Sequence, residues 1–334
     1  MPVNIIATHH YLPSQTVTSA QLETDLVRRN PHVTIRPGLI EKLTGIVSRP
    51  RALPDEYSST LAARAARELM TRDAIDPESI DLLIFAAATQ DMIEPATSHI
   101  VQDLLGTQAV CFDVKDACNS FLHGLEIAET LLETNRYRRA LLVVGEKPSV
   151  SCKMTLRDRQ DFKESFAGYT FGDSGAAMLL ESSASVSSIE YQRFATRSQY
   201  WEAGTLPGGG TRHPRGDEYT YFHGGGYALK AAFEEFGVSF VTQCLEEAEV
   251  TIDEIDYVLV HQVAAPFLRE LLAALGIEEG KTLVTVEEYG NLAAATLPVG
   301  LSMLMRDQDF EPGSRVLLLG LAGGLSVGVT LLRL

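Results

Sequence analysis

The chain has 334 residues, enough for one large α/β domain or two smaller ones around a sizeable core. A net charge of −16 argues against nucleic acid as a partner, because phosphate contacts need a basic stripe. No apolar run reaches the ~18 residues of a membrane span, and the opening MPVNIIATHHYLP lacks the charged-then-apolar layout of a signal peptide, so a cytoplasmic protein is expected. The four cysteines, Cys111, Cys118, Cys152 and Cys244, are too scattered for a disulfide framework. None pairs as CxxC, and no metal is expected.

In chain order, VNIIA near residue 3 reads as a strand, and STLAARAARELM as an amphipathic helix. IDPESIDLLI, residues 75–84, then opens an apolar strand. FDVKDACNSFLHGLEIAETLL, residues 112–132, begins as a strand and ends as a helix, with Cys118 at the change. RALLVVG (139–145) is a buried strand. Residues 146–170 form an insertion expected at a dimer contact or tunnel, and FGDSGAAMLLE (171–181) is a glycine bend followed by a strand.

The chain then repeats itself. VSSIEY near 186 answers VNIIA, and ALKAAFEEFGVSFVTQCLEEA answers the first amphipathic helix. IDEIDYVL (252–259) answers IDPESIDLLI at an offset of 175, aligning Ile80-Asp81 with Ile255-Asp256. RVLLLG (315–320) answers RALLVVG, and LAGGLSVGVTLLRL answers FGDSGAAMLLE. Helices alternating with short β-branched runs imply two halves, 1–183 and 184–334, each a mostly parallel sheet covered by helices. A second insertion, residues 199–226, is long and glycine-rich. Such loops are functional or flexible, and Arg212, His213 and Arg215 on it are candidates for contacts with phosphates.

The offset places Cys118 opposite residue 293, beside Asn291 in the glycine turn of EEYGNLAAATLPVGLSML. His261 closes the strand YVLVHQ. All three residues fall at carboxyl ends of strands, where ligands of α/β sheets gather. A cysteine at a helix start meets the positive end of the helix dipole, which favours thiolate. The peptide N–H groups there can hold an oxyanion, which suits acyl-thioester chemistry. Position alone leaves a small buried core residue equally open for Cys118. His261 alone reads as a locally satisfied histidine and Asn291 as a turn residue. Their joint placement in a repeated fold lifts all three.

DACNSFLHGL, VLVHQVAAPF, EYGNLAAATLPVGL and the closing GLAGGLSVG resemble the thiolase superfamily, most closely its β-ketoacyl-acyl-carrier-protein synthase III branch. TGIVSR (44–49), EPATSHIVQDLLG (94–106) and FGDSGAAMLL (171–180) support this in the same order, so the resemblance spans essentially the whole chain. It implies a five-layered αβαβα fold of two duplicated halves and a homodimer. It also implies a catalytic Cys118, His261 and Asn291, with an oxyanion hole from Cys118 and Gly323. No tightly bound cofactor is implied; the substrates are thioesters of CoA or acyl carrier protein. Cys118 takes an acyl group and condenses it, by a Claisen step that is decarboxylative with a malonyl-type thioester, to a β-keto product of fatty-acid-like or polyketide specialised metabolism.

The sequence departs from that branch at three places. Leu39 and Leu43 stand where a tryptophan and an arginine grip the CoA adenine. Pro266 stands where an arginine docks the acidic carrier, with Arg269 the nearest basic residue and Glu270, Glu278 and Glu279 close by. Glu94 precedes Pro95 as in the long-chain head-to-head branch, where it is a base that reaches the neighbouring subunit's site. A solvated loop carboxylate is its plainer reading. Two other functions stay in view: acyl transfer to a hydroxyl or amine, and a non-catalytic partner subunit. The intact Asn291 favours carbon–carbon bond formation over the former. The retained cysteine and histidine weigh against the latter.

Overall fold

The computed structural model describes residues 1–183, 188–224, 226–306 and 310–334. The expected junction at 183–184, Val186 and Ser187 of the VSSIEY repeat, and Gly225 of the second insertion lie outside them.

Thirteen strands are described: β1 Val3–Tyr11, β2 Gln15–Thr18, β3 Ser48–Arg51, β4 Leu82–Ala86, β5 Val110–Val114, β6 Arg139–Glu146, β7 Ser174–Ser182, β8 Ile189–Thr196, β9 Gly204–Thr205, β10 His223–Gly224, β11 Tyr257–Val260, β12 Arg315–Ala322 and β13 Ser326–Arg333. The α-helices are α1 Ser19–Arg29, α2 Leu39–Thr44, α3 Ser58–Arg72, α4 Thr97–Leu105, α5 Ser120–Glu133, α6 Arg159–Glu164, α7 Gly226–Glu247, α8 Ala265–Leu275, α9 Val286–Tyr289 and α10 Thr296–Leu304.

One sheet has the order β1-β7-β6-β4-β5 and the other β11-β12-β13-β8. They are mixed sheets, which corrects the expectation of mostly parallel ones. β4 runs parallel to β5 and β6, and β11 to β12, but β1, β6 and β7 pair antiparallel, as do β12, β13 and β8. The physical reason at β12–β13 is the short turn between Ala322 and Ser326, which can join only antiparallel neighbours.

The repeat is visible in the hydrogen bonds. Asp81 and Asp256 play one role in the two sheets: each donates its backbone N–H to the carbonyl of an arginine that opens a parallel neighbouring strand, Arg139 of β6 or Arg315 of β12. Each also accepts that arginine's N–H on its carboxylate. Among the described residues the second sheet has a single parallel bridge, Val258 with Thr282, where the first has β5.

Strand alternation separates the layers. On β12, Val316 and Leu318 join a core with Leu122, Leu125, Leu297 and Leu301 of α5 and α10, which lie between the sheets. Leu317, Leu319 and Leu321 join the opposite core with Val241 of α7 and Leu268 of α8. α3 packs on the outer face of the first sheet against β1, β6 and β7. The result is α3 and α4, sheet, α5 and α10, sheet, α7 and α8: the five-layered αβαβα arrangement. α10 is buried on nearly every side, as its all-round apolar sequence requires. Residues 148–170 pack with α1 and α2 as a side cluster around Leu26, Ile40, Phe162 and Tyr169.

Where the halves meet, Gly320 of β12 backs onto the turn before α5. A Cβ there would sit 2.0 Å from Asn119 Oδ1 and 2.7 Å from Leu122 Cδ1. Gly320→Ala is therefore expected to destabilise the protein by about 1–3 kcal/mol. Thermal unfolding checks this, and an unchanged Tm would mean that the sheets are not locked at this point.

Candidate active site

Cys118 lies two residues ahead of α5, on a tight turn. Asn119 N–H donates to the Asp116 carbonyl (2.9 Å) and Ser120 N–H to that of Ala117 (3.2 Å). The Ser120 hydroxyl accepts from Asp116 N–H (2.8 Å) and donates to the Ala117 carbonyl. Ala117 is forced to a φ of 46°, and Ala293, at the equivalent corner of the second half, to 50°. Non-glycine residues in this region cost free energy and concentrate at functional sites.

The turn is bolted to the second sheet. Buried Asn119 donates from Nδ2 to Ser326 Oγ (2.6 Å), and Ser326 Oγ donates to Asp116 Oδ2 (2.6 Å). Ser326 pairs with Ala322 across the hairpin turn that contains Gly323. The residues flanking Cys118 therefore hold the hairpin of Gly323 beside it. A Cβ on Gly323 would lie 3.4 Å from the Gly204 carbonyl, so the second insertion begins against this turn.

His261 follows β11 and is fixed to the neighbouring strand by its N–H bond to Leu319 O (2.8 Å), one residue from Gly320. Its ring is buried and Nδ1 has no partner among the described residues. Burial lowers its pKa to about 4, so it is a neutral imidazole near pH 7. Gln262 accepts at Oε1 from Thr285 and Val286 N–H, and donates to Leu283 O, tying His261 to the segment that leads into α9. That segment ends at Gly290 and Asn291. Asn291 N–H donates to Thr170 O (2.8 Å), Gly172 N–H donates to Asn291 O (3.0 Å), and the side-chain oxygen accepts from Ala293 N–H (3.0 Å). The Nδ2 donors of Asn291 have no partner among the described residues.

The structure thus links Cys118, His261, Asn291 and Gly323 through adjacent strand ends and turns. It does not link the other candidates to them. Glu94 is exposed on the loop before α4, beside exposed Met92 and Ile93. Arg212 and Arg215 are exposed on the second insertion, with Arg212 over the Trp201 ring at 5.1 Å. Leu43 is exposed, and Arg269 is occupied by Glu287 (2.7 Å).

The surroundings of Cys118 work against the thiolate that the helix dipole favours. Burial, then the carboxylates of Glu146 and Asp116, push the Cys118 thiol up to about 12. The turn sets Cys118 ahead of the helix, and two nearby negative charges oppose ionisation. Sequence reading missed both carboxylates, and also His123, which bridges Asp116 (3.2 Å) and Glu126 (3.3 Å). The available signal was a charged residue, Glu146, closing the apolar strand RALLVVG.

Residues 112–198 match 3-oxoacyl-(acyl-carrier-protein) synthase III, and residues 245–334 match the C-terminal domain of the same family, together more than half of the chain. The chain belongs to the synthase III family. As a member it is an acyltransferase of the condensing type with a thiolase-like fold. Among solved structures it is similar to Xanthomonas campestris OleA with bound lauric acid and lauroyl-CoA, at 24% identity over 100% of this chain and 99% of that one, with a TM-score of 0.90. It is likewise similar to the cerulenin-bound form of OleA, at 25% identity over 100% and 97% of the chains, with a TM-score of 0.89. Among the described residues no helix is long and apolar enough to cross a membrane, and no cluster of three or more potential ligands could hold a metal.

A thiol with so high a pKa makes a firm prediction. Alkylation of Cys118 by iodoacetamide at pH 8 should be about a hundredfold or more slower than that of an exposed thiol, and should keep rising with pH. Peptide-resolved mass spectrometry follows it; a plateau below pH 8 would show a stabilised thiolate instead.

Proposed function

We propose that the chain takes an acyl group from a CoA or carrier-protein thioester onto Cys118 and condenses it, in a Claisen step, with a second thioester to a β-keto product. The observation that carries this reading is the bolt between the Cys118 turn and the Gly323 hairpin, with a neutral His261 on the strand beside β12 and an Asn291 amide that has no partner among the described residues. The thiol is protonated at rest, so attack on the thioester carbonyl needs a proton acceptor, and neutral His261 can take that proton. The oxyanion is met by the N–H groups of Cys118 and Gly323, and the CoA or carrier sulfur leaves as a thiol with the proton that His261 returns, so that His261 is neutral again. His261 and Asn291 then hydrogen-bond the carbonyl of the second thioester and stabilise its enolate as CO2 departs. The enolate carbon attacks the acyl carbonyl, the Cys118 sulfur leaves as a thiolate, and a proton taken up from solvent restores the thiol. Donors fixed at the carbonyl lower the barrier because they meet charge that grows in the transition state.

A second reading replaces decarboxylation by removal of a proton from another acyl chain, with Glu94 as base. OleA, similar in fold, binds lauric acid and lauroyl-CoA, and has been solved with a cysteine, a glutamate or a histidine replaced. Glu94 is flanked by Met92 and Ile93, 48% and 65% exposed, a surface that a second subunit would cover. The homodimer suits the partly exposed apolar residues on the unpaired edge strand β5. In the same reading the chain works as two halves, 1–183 with the nucleophile and 184–334 with the histidine and asparagine. A cytoplasmic, reducing setting suits its four free thiols.

Asn291→Ala is expected to keep acyl loading within about threefold of wild type while condensation falls by about a hundredfold or more. Single-turnover assays of the two steps separate them, and parallel loss of both would contradict the assignment. For Glu94→Gln, turnover should survive with a malonyl thioester and be lost with two acyl thioesters. Equal activity with both pairs would remove Glu94 from the chemistry.

A further inference from the structure

Glu146 ends β6 with its carboxylate fully buried. Four donors converge on it. Oε1 accepts from Ala88 N–H (2.6 Å) and Ala294 N–H (3.3 Å); Oε2 accepts from Thr89 N–H (3.0 Å) and the Thr89 hydroxyl (2.7 Å). Among the described residues no cation pairs with it. Neighbouring Lys147 turns away to donate to the carbonyls of Leu53 and Glu56. Ala88 and Thr89 follow strand β4 of the first half, whereas Ala294 belongs to the turn after Asn291. The N–H immediately before it, that of Ala293, is the one that holds the Asn291 side chain. The charge of the same carboxylate also opposes ionisation of the Cys118 thiol. One side chain therefore bonds to the loop after β4 in the first half of the chain and to the Asn291 turn in the second.

We propose that Glu146 is a positioning residue that clamps the Asn291 turn to the loop after β4 beside Cys118, so that its loss uncouples condensation from acyl loading. The inference rests on the reading of Cys118 as the acyl carrier. A buried carboxylate met only by N–H and O–H donors is expensive to keep, and burial outweighs those bonds in raising its own pKa to about 7. An apolar residue would fill the same space, but it could neither collect donors from two halves nor act on the thiol.

Two substitutions separate charge from reach. Glu146→Gln removes the charge and turns one acceptor into a donor facing N–H groups. Iodoacetamide alkylation of Cys118 at pH 8 should then rise about tenfold, as expected when a nearby like charge is lost. Single-turnover condensation should fall by about tenfold or more, with acyl loading not slowed. Glu146→Asp keeps the charge but shortens the arm, so alkylation should stay at the wild-type rate while condensation falls. Wild-type rates of alkylation and condensation in Glu146→Gln would overturn the proposal. So would loading and condensation falling in parallel with the Tm, the mark of a residue that only supports the fold. If the wild-type protein takes no acyl group on Cys118, the acyl-carrier reading fails. The alkylation contrast between the two variants still decides whether Glu146 acts on the thiol.

Discussion

The site depends on a relay of three side chains across the two sheets: Asn119 donates to Ser326, and Ser326 donates to Asp116. Each bond contributes only about 0.5–1.5 kcal/mol net, but a buried donor left unmet costs about 1–3 kcal/mol. The relay therefore selects position more than it adds stability. It holds the residues on both sides of Cys118 against the strand that begins after the Gly323 turn. Gly320 makes the approach feasible by leaving room for the Asn119 side chain. The strain at Ala117 is tolerated because the surrounding bonds leave the turn no other conformation.

Burial then sets the electrostatics. The same enclosure that fixes the site drives Cys118 towards its thiol form and His261 towards its neutral form. A neutral pair suits a site that must first bind a thioester and then ionise its nucleophile, because a standing thiolate would react with any passing electrophile. Glu146 strengthens this preference while it organises the Asn291 turn. The nucleophile and the donors of the second half-reaction are thus coupled through one buried carboxylate.

Much of this was legible in the sequence where it was written as a local pattern. The 175-residue offset aligned Ile80-Asp81 with Ile255-Asp256, and those aspartates do occupy matching places at the starts of β4 and β11. Helices and buried strands announced themselves by period. Strand direction was misjudged because alternating helices and strands suggest crossovers, whereas β7 and β13 return antiparallel after glycine bends. The helix-dipole argument for Cys118 followed from local sequence, and so could the opposing charge of Asp116, two residues before it, but the other opposing charge comes from afar in the fold. Glu146 lies 28 positions away in sequence, and Ser326, which ties the turn to the second sheet, lies 208 positions away, so no motif around DACNSF records either. Pairing of Arg269 with Glu287 likewise depends on packing that spacing does not encode, whereas the exposure of Glu94 agrees with its plainer reading as a solvated loop carboxylate.

The central claim is that Cys118 carries the acyl group. Intact-protein mass spectrometry of the wild-type chain after incubation with acyl-CoAs from short to long, followed by digestion, tests it most directly. The account predicts one acyl adduct, on the peptide holding Cys118 and not on those holding Cys111, Cys152 or Cys244. An adduct confined to another residue, or none with any CoA or carrier-protein donor, would contradict it.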